Sequence, residues 1–503
     1  MFLSKFLKVP AKTQSNLLRG LLVKASSTVW GRRFDFGSIA RESDVVRAYR
    51  ERVPLHSYEH MRPYVDRIRD GEKDVLWPGR IRYFAASSGT TSSGRIVPVS
   101  TEMLASNRRF SLAVVANYLV KTRKTGILLG RHLSLPGWIE DDRPGIGMGT
   151  GTRTRVGQIS AILAESSAAL VRPWRALDNR LGFIEDWEEK MAAVADHTMA
   201  QDIRLIVIAP SWCQVLFRLV QERYRSKTGN VSTIGDIWPN LTTVITGGVA
   251  LSGYRGILTN YMGEKHVDLV ETYGASEGFI AFQNELADPA MLLHLDNGVY
   301  YEFVPFDELG FGNPKRLSIG EVETGVRYAP HLTSNSGFWS YCVGDVVRFT
   351  SLDPHKIVVT GRTVDMLDKY GEAVFGDGAR RALHAACEQT GATVLHYHVT
   401  HTPPDLRRTP AHHWLIEFNR PPADIARFAA IIDDELVKAG HHYEDRREGM
   451  AFDRPTVTAL PPGTFFSCMA QAGKRVTVQT KVPAMSEERD FAEEVLKNAE
   501  QSG

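Results

Sequence analysis

Three apolar runs of strand length constrain this chain more than any other feature. Asp202–Ala209, Thr242–Ile245 and Val267–Val270 each read as a buried strand. Between the first two, Pro210 and Ser211 open a helix that continues through Arg225, with Val215, Leu216, Leu219 and Val220 on one face. Strand, helix, strand favours a mainly parallel α/β sheet, in which ligands gather outside the carboxyl ends of the strands. Two glycine-bearing strings fall at that edge: Thr246-Gly247-Gly248 after the second run, and Glu271-Thr272-Tyr273-Gly274-Ala275-Ser276-Glu277-Gly278 after the third.

Texture changes along the chain divide it further. Residues 1–80 read as helical, with Leu17, Leu18, Leu21 and Leu22 as an apolar stripe and a helix Glu42–Arg52 that stops at Pro54. Beyond residue 290 the segments Val299–Val304, Gly320–Val326, Tyr341–Thr350 and Lys356–Thr360 predict antiparallel strands. After Gly361-Arg362 helices and strands alternate on a smaller scale: Val394–Thr400, Trp414–Phe418, Thr456–Leu460 as strands, Ala423–Lys438 and Phe465–Ala472 as helices. The expected fold class is α/β, a large amino-terminal domain over residues 1–361 with parallel-sheet layers and a β-rich subdomain. A smaller α+β domain over residues 362–503 follows it.

Composition narrows the partners. The chain has 503 residues, 43% of them hydrophobic, and 60 basic against 58 acidic side chains, a net charge of +2. It can bury a large core, and no global basic field points to nucleic acid or to an anionic membrane. Cys213, Cys342, Cys387 and Cys468 lie far apart without a CxxC pair, which argues against a structural zinc or a disulfide framework. Met1–Lys8 is too short and lysine-interrupted for a signal peptide, and no apolar run reaches the ~18 residues of a membrane helix. A soluble cytoplasmic protein is expected.

The chemistry is concentrated in three strings. Ser87-Ser88-Gly89-Thr90-Thr91-Ser92-Ser93-Gly94-Arg95 combines hydroxyl donors, glycines that admit close backbone approach and a terminal cation, which suits a loop around a triphosphate. Its ordinary reading is a flexible surface turn. Against that, it sits between a strand-like run, Arg80–Ala86, and a helix capped at Ser100. It is not a Walker A loop, because Arg95-Ile96 stands where lysine and a hydroxyl are required. In Tyr273–Gly278 the ring can stack on a purine and Glu277 can hold Mg²⁺, although a tight turn with an exposed acid is the plain alternative. In Tyr341-Cys342-Val343-Gly344-Asp345 the acid can accept from ribose hydroxyls, or simply close a β-turn.

Other strings are weaker. Gly145–Gly151 is glycine-rich but follows no strand, so it reads as a loop rather than a dinucleotide fingerprint. The adjacent pairs His412-His413 and His441-His442 point to opposite faces of a strand with no third ligand spaced beside them; surface or domain-interface histidines are expected. Cys342 reads as a strand residue rather than a nucleophile.

Taken together and in this order, the three strings and the Gly361-Arg362 hinge resemble the adenylate-forming superfamily. More specifically, the chain resembles the acyl acid amido synthetases of the auxin-responsive Gretchen Hagen family in their bacterial form. The resemblance takes in Arg52-Val53-Pro54-Leu55, Asp186–Lys190, Ile237–Leu241, Tyr301–Pro305, Gly371-Glu372, His413–Phe418 and Gln479–Pro483. It implies a carbon–nitrogen ligase that uses ATP and Mg²⁺, adenylates a carboxylic acid and passes the acyl group to an amino acid, as a monomer. It further implies that Ser87, Ser88, Gly89, Thr90, Thr91 and Arg95 hold phosphates and that Gly247, Gly248, Tyr273, Gly274, Ala275 and Ser276 frame the adenylate. Glu277 would then bind the metal, Asp345 the ribose, Arg362 at the hinge would join the cofactor-binding residues, and Lys481 would enter with the carboxyl-terminal domain. Arg95 stands where lysine is usual, and Ser340 and Ala484 where arginine is. Two alternatives follow: a ligase that charges coenzyme A or a carrier thiol, and a catalytically weakened acyl- or nucleotide-binding protein.

Overall fold

The computed structural model describes residues 8–86, 95–142, 154–166, 169–184, 186–248, 250–309, 313–363, 366–367, 369–370, 372, 374–403, 409–439, 441–448, 451–472 and 480–502. Among the described residues five helices come first: Pro10–Ala25, Val29–Arg33, Phe36–Arg41, Val45–Arg52 and Tyr58–Arg69. Pro10 is tolerated because the first helical position has no intrahelical use for its missing N–H. Leu18, Leu21 and Leu22 turn inward. Buried Gln14 stitches this layer to the sheet behind it, donating to the carbonyls of Leu295 and Val299 and accepting from the Tyr301 amide.

The strands follow in order: β1 Tyr83–Ala86, β2 Ile96–Val99, β3 Arg131–Ser134, β4 Ile139–Asp141, β5 Arg155–Gly157, β6 Ile203–Val207, β7 Thr243–Gly247, β8 Asp268–Ala275, β9 Gly278–Gln283 and β10 Met291–Leu293. Then come β11 Val299–Pro305, β12 Arg327–Ser334, β13 Tyr341–Cys342, β14 Asp345–Leu352 and β15 His355–Arg362, with β16 Met366–Leu367, β17 Val374–Phe375, β18 Thr393–His401, β19 His412–Arg420 and β20 Thr456–Leu460. The main sheet runs β11-β12-β14-β15-β10-β9-β8-β7-β6-β3, with β13 beside β12. From β3 to β8 it is parallel; from β8 onward every pairing is antiparallel. The parallel half is the strand–helix–strand pattern read from the sequence. The helix Pro210–Thr228 provides one of its crossovers and buries Leu216 and Val220.

Two expectations change here. Residues 320–326 form a turn-rich connection instead of a strand, and the strand of this region is β12. Gly361 is part of β15, paired with Val346 beside a bulge, so the chain leaves the sheet only after Arg362.

Beyond β15, a three-stranded sheet β18-β19-β20 carries the helices Gly376–Thr390 and Ile425–Ala439 around a core of Val399, Trp414, Ile416, Phe428 and Ile432. His412 belongs to this core, fully buried rather than at the surface, because β19 is the central strand. His413 faces the other side and bonds Thr458 Oγ1 at 2.8 Å. Contacts to the large domain include the Arg380 guanidinium on the Thr360 carbonyl, 2.8 Å, and Arg327 stacked 3.6 Å over the Phe375 ring. Among the described residues no helix is long and apolar enough to cross a membrane.

Candidate active site

The site forms where the parallel half of the sheet turns antiparallel. β8 and β9 are joined through the pair Ala275↔Gly278, which leaves Ser276 and Glu277 as a two-residue hairpin loop at the carboxyl edge of β8. Tyr273, Gly274 and Ala275 are thus the last strand residues, not a loop after the strand. Thr246–Gly247 of β7 lie alongside, with Thr272 Oγ1 donating to the Thr246 carbonyl at 2.8 Å. A Cβ on Gly247 would sit 2.6 Å from Thr272 Oγ1, so packing demands glycine there. Gly248 has φ +83° and opens onto free space, a shelf on which a planar ligand can lie.

Glu277 is only 4% exposed although it caps a hairpin. Its backbone carbonyl accepts from Ser334 Oγ at 3.0 Å, and its carboxylate takes a hydrogen bond from Tyr341. Burial pushes the carboxyl up to about 7; its own amide, the Arg95 charge and the Tyr341 bond pull it down, while the Asp345 charge pushes it up. Arg95 Nη1 lies 3.4 Å from the Tyr341 hydroxyl, which is itself pushed up, first by burial and then by Glu277. Tyr273 donates to Asp345 Oδ2 at 2.8 Å. Arg95, Glu277, Tyr273, Tyr341 and Asp345 therefore converge from three distant stretches of chain.

Local structure explains the convergence. β1 and β2 pair as a hairpin whose connection is residues 87–95, and Tyr58 pins its far end by accepting from the Ile96 amide at 2.8 Å. Ser87, Ser88, Gly89, Thr90 and Thr91 lie outside the described residues. β13 is held from the amino-terminal layer: His56 bridges it, accepting at its carbonyl from Cys342 and donating its amide to Ser340. Asp345 opens β14 directly opposite Arg362, and Thr363 donates to the Gly344 carbonyl at 2.8 Å. The acid assigned to the ribose and the exit toward the carboxyl-terminal domain are cross-strand neighbours.

Lys481 sits exposed in the carboxyl-terminal domain. Its segment is laid along β18 by the Val399 amide on the Ala484 carbonyl and by His398 Nδ1 with the Pro483 carbonyl. Tyr341 was passed over by sequence reasoning, which took its string for the acid alone. On the helix Thr101–Thr122, the Tyr118 hydroxyl bonds Asp268 Oδ2 at 2.6 Å, at the opposite edge of β8. Phe110, nearer the helix start, packs on Phe279 and Phe282. Gly145–Gly151 lies outside the described residues. A cavity of about 600 Å³ bordered by Arg131, Arg175, His197 and Asp202 is at the amino edge of the parallel strands and contains none of the site residues.

Ser340 faces away from this cluster. It is fully buried, with φ +44°, and donates to Glu302 Oε2 at 2.5 Å while accepting from Arg316 Nη2 at 2.9 Å. Arg316 thus sets its guanidinium against the Ser340 hydroxyl and the Glu302 carboxylate together.

The architecture matches solved adenylate-forming enzymes over nearly its whole length. GH3.15 acyl acid amido synthetase superposes with a TM-score of 0.78 at 18% identity, over 98% of this chain and 94% of that one. 2-Hydroxyisobutyryl-CoA ligase in its postadenylation state gives 0.61 at 12% identity, over 98% and 92%. The fold is that of the adenylate-forming ligases, mixed α/β with a large amino-terminal and a smaller carboxyl-terminal domain. Within that class the chain belongs to the GH3 family: the family's N-terminal domain matches residues 1–156, its central domain residues 292–362 and its C-terminal domain residues 377–490.

Relatives include indole-3-acetic acid-amido synthetase GH3.4 of Arabidopsis thaliana, 24% identical over 405 residues that cover 69% of this chain and 66% of the relative. Jasmonoyl-L-amino acid synthetase JAR4 of Nicotiana attenuata is 22% identical over 359 residues, 60% of each chain. The alignments thus span about two thirds of these relatives or less.

Proposed function

We propose that this chain is an ATP-dependent acyl acid amido synthetase. The observation that carries the reading is the buried Glu277 carboxylate at the carboxyl edge of β8, with Arg95 and Tyr341 on one side and the Tyr273–Asp345 pair on the other. In the first step an oxygen of the acyl carboxylate attacks the α-phosphorus of ATP, and pyrophosphate leaves. In the second, the amine of an amino acid attacks the acyl carbonyl, loses a proton, and AMP leaves. Neither step needs a protein nucleophile; both need positioning and charge stabilisation.

Arg95 neutralises the phosphates, and Ser87, Ser88, Gly89, Thr90 and Thr91 hold them with hydroxyl and backbone donors. Gly247, Gly248 and Tyr273–Ser276 frame the adenylate, and Asp345 orients the ribose. A hard cation suits Glu277, a carboxylate whose burial makes its own charge costly; Mg²⁺ held there would neutralise phosphate oxygens as pyrophosphate departs. Arg362 marks where a residues 1–361 domain hands over to a residues 362–503 lid, and rotation beyond it brings Lys481 to the nucleotide. The family's bacterial form, a monomer and a cytoplasmic setting complete the proposal, the last supported by four free cysteines.

Carboxylate-dependent exchange of labelled pyrophosphate into ATP, measured without amine across aryl, indolyl and fatty acids, tests the first step. One acid class should support exchange, and Asp345→Ala should lower it about a hundredfold. No exchange with any acid despite ATP binding would leave a binding protein. Lys481→Ala should slow exchange by a similar factor while preformed acyl-adenylate is still consumed by amine; equal loss of both would place Lys481 in a different role. Acceleration of AMP release by coenzyme A rather than by an amino acid would move the chain to the thioester-forming ligases.

A further inference from the structure

The carboxyl-terminal domain holds a polar cluster that nucleotide chemistry does not use. His401 ends β18 and His412 begins β19, and the two are direct partners in the antiparallel register, so their side chains share one face of the sheet. Glu372, between β16 and β17, comes up against both. Its Oε1 lies 2.5 Å from His401 Nε2 and 3.3 Å from His412 Nε2. All three residues are at most 1% exposed. One ligand atom from each falls within 4.8 Å of the other two.

The surroundings are aromatic. Tyr370 and Phe452 meet the His401 ring edge-on, and Tyr443 stacks on His412. The Nδ1 atoms of both imidazoles are buried and make no hydrogen bond in the described structure. A hydrogen-bonded pair would satisfy a buried carboxylate with one imidazole. Here two imidazole nitrogens converge on the same oxygen, each leaving its other nitrogen unbonded, which is poor value as hydrogen bonding. Two nitrogens and one carboxylate oxygen around a common point is a donor set for a borderline divalent ion. Ligand bonds of about 2.0–2.1 Å in tetrahedral geometry separate the donor atoms by roughly 3.3 Å. The His412 pair already has that spacing; the His401 pair reaches it by opening about 0.8 Å, a small side-chain adjustment.

We propose that Glu372, His401 and His412 bind one divalent transition-metal ion, with zinc the fitting ion and water in the fourth position. The ion fastens the segment that follows β15 to the end of the β18–β19 hairpin. Its role is to stiffen the lid, and it lies outside the reacting groups.

The test uses the full-length, untagged protein. Co²⁺ is titrated into the metal-stripped wild type and followed by its visible d–d bands, then displaced with Zn²⁺; metal content and thermal melting are measured on the same samples. One Co²⁺ per chain with the intense bands of low coordination, displacement by one Zn²⁺, and a higher melting temperature with zinc are expected. Glu372→Gln, close in shape to the native residue, and His412→Gln should each weaken binding about a hundredfold or more. His384→Gln, at an exposed histidine elsewhere in the domain, should change nothing. Absence of saturable bands in the folded wild type overturns the site without recourse to any variant. So does binding that survives both Glu372→Gln and His412→Gln.

Discussion

Replacing Glu277 with glutamine is expected to cut pyrophosphate exchange about a hundredfold or more and, at the same time, to make the ligand-free protein melt at a higher temperature at pH 8. The two effects have one origin. In the folded chain burial lifts this carboxyl to about 7 from an ordinary 4.5. A carboxyl raised on folding adds stability that is fully present below about pH 4.5 and is lost as pH rises through about 7. Above pH 7 the wild type therefore carries a charged, desolvated group that glutamine does not. The rise from 4.5 to about 7 corresponds to an upper bound of about 3.5 kcal/mol, since each pH unit is worth about 1.4 kcal/mol.

The pH dependence separates this account from a generic stabilisation. Melting of the wild type and of Glu277→Gln should diverge between pH 5 and pH 8, with the variant ahead only on the alkaline side. Saturating ATP and Mg²⁺ should erase the variant's lead, because those ligands reward the charge that the apo fold penalises. A variant that is less stable at pH 8, or whose advantage is the same at pH 5, would show that Glu277 is settled in its pocket by its neighbours and is no reservoir of binding energy.

How much of this was legible in the sequence depends on where each residue's partners come from. The parallel strands were, because β6, β7 and β8 are buried apolar runs whose signal is local. β12 was not: Arg327, Pro330, His331 and Thr333 break both its hydrophobicity and its alternation, and only burial on both faces makes it a strand. Glu277 and Asp345 were found from motif strings, whereas the Tyr273–Asp345 bond spans 72 positions and the Arg95–Tyr341 contact 246. No spacing rule carries such information. The cluster of Glu372, His401 and His412 is hidden for the same reason: His412 read beside His413 shows no third ligand, and its actual neighbours lie across a sheet.

The largest stability effect is expected at Arg316. Its guanidinium donates to Glu302, to Ser340 Oγ and to the carbonyls of Arg50 and Val53, and so ties the antiparallel half of the sheet to the opening helices. Glu302 is fully buried, and Tyr49 and Thr333 complete the network around Ser340. Arg316→Met removes the guanidinium that lies 2.7 Å from that carboxylate. Stranding a buried charge costs about 3–5 kcal/mol, a large part of the roughly 5–15 kcal/mol that holds a domain together. Urea unfolding should show that loss. Glu302→Gln alone should also destabilise, by leaving the guanidinium short of its counter-charge, and the double variant should be less damaged than the sum of the two by about 1–3 kcal/mol. Because Ser340 precedes Tyr341, the single Arg316 variant should also lose exchange activity as it approaches its melting temperature, and not before. An unchanged unfolding midpoint in Arg316→Met, or strict additivity in the double variant, would mean that Ser340 and Glu302 are held by backbone and packing alone.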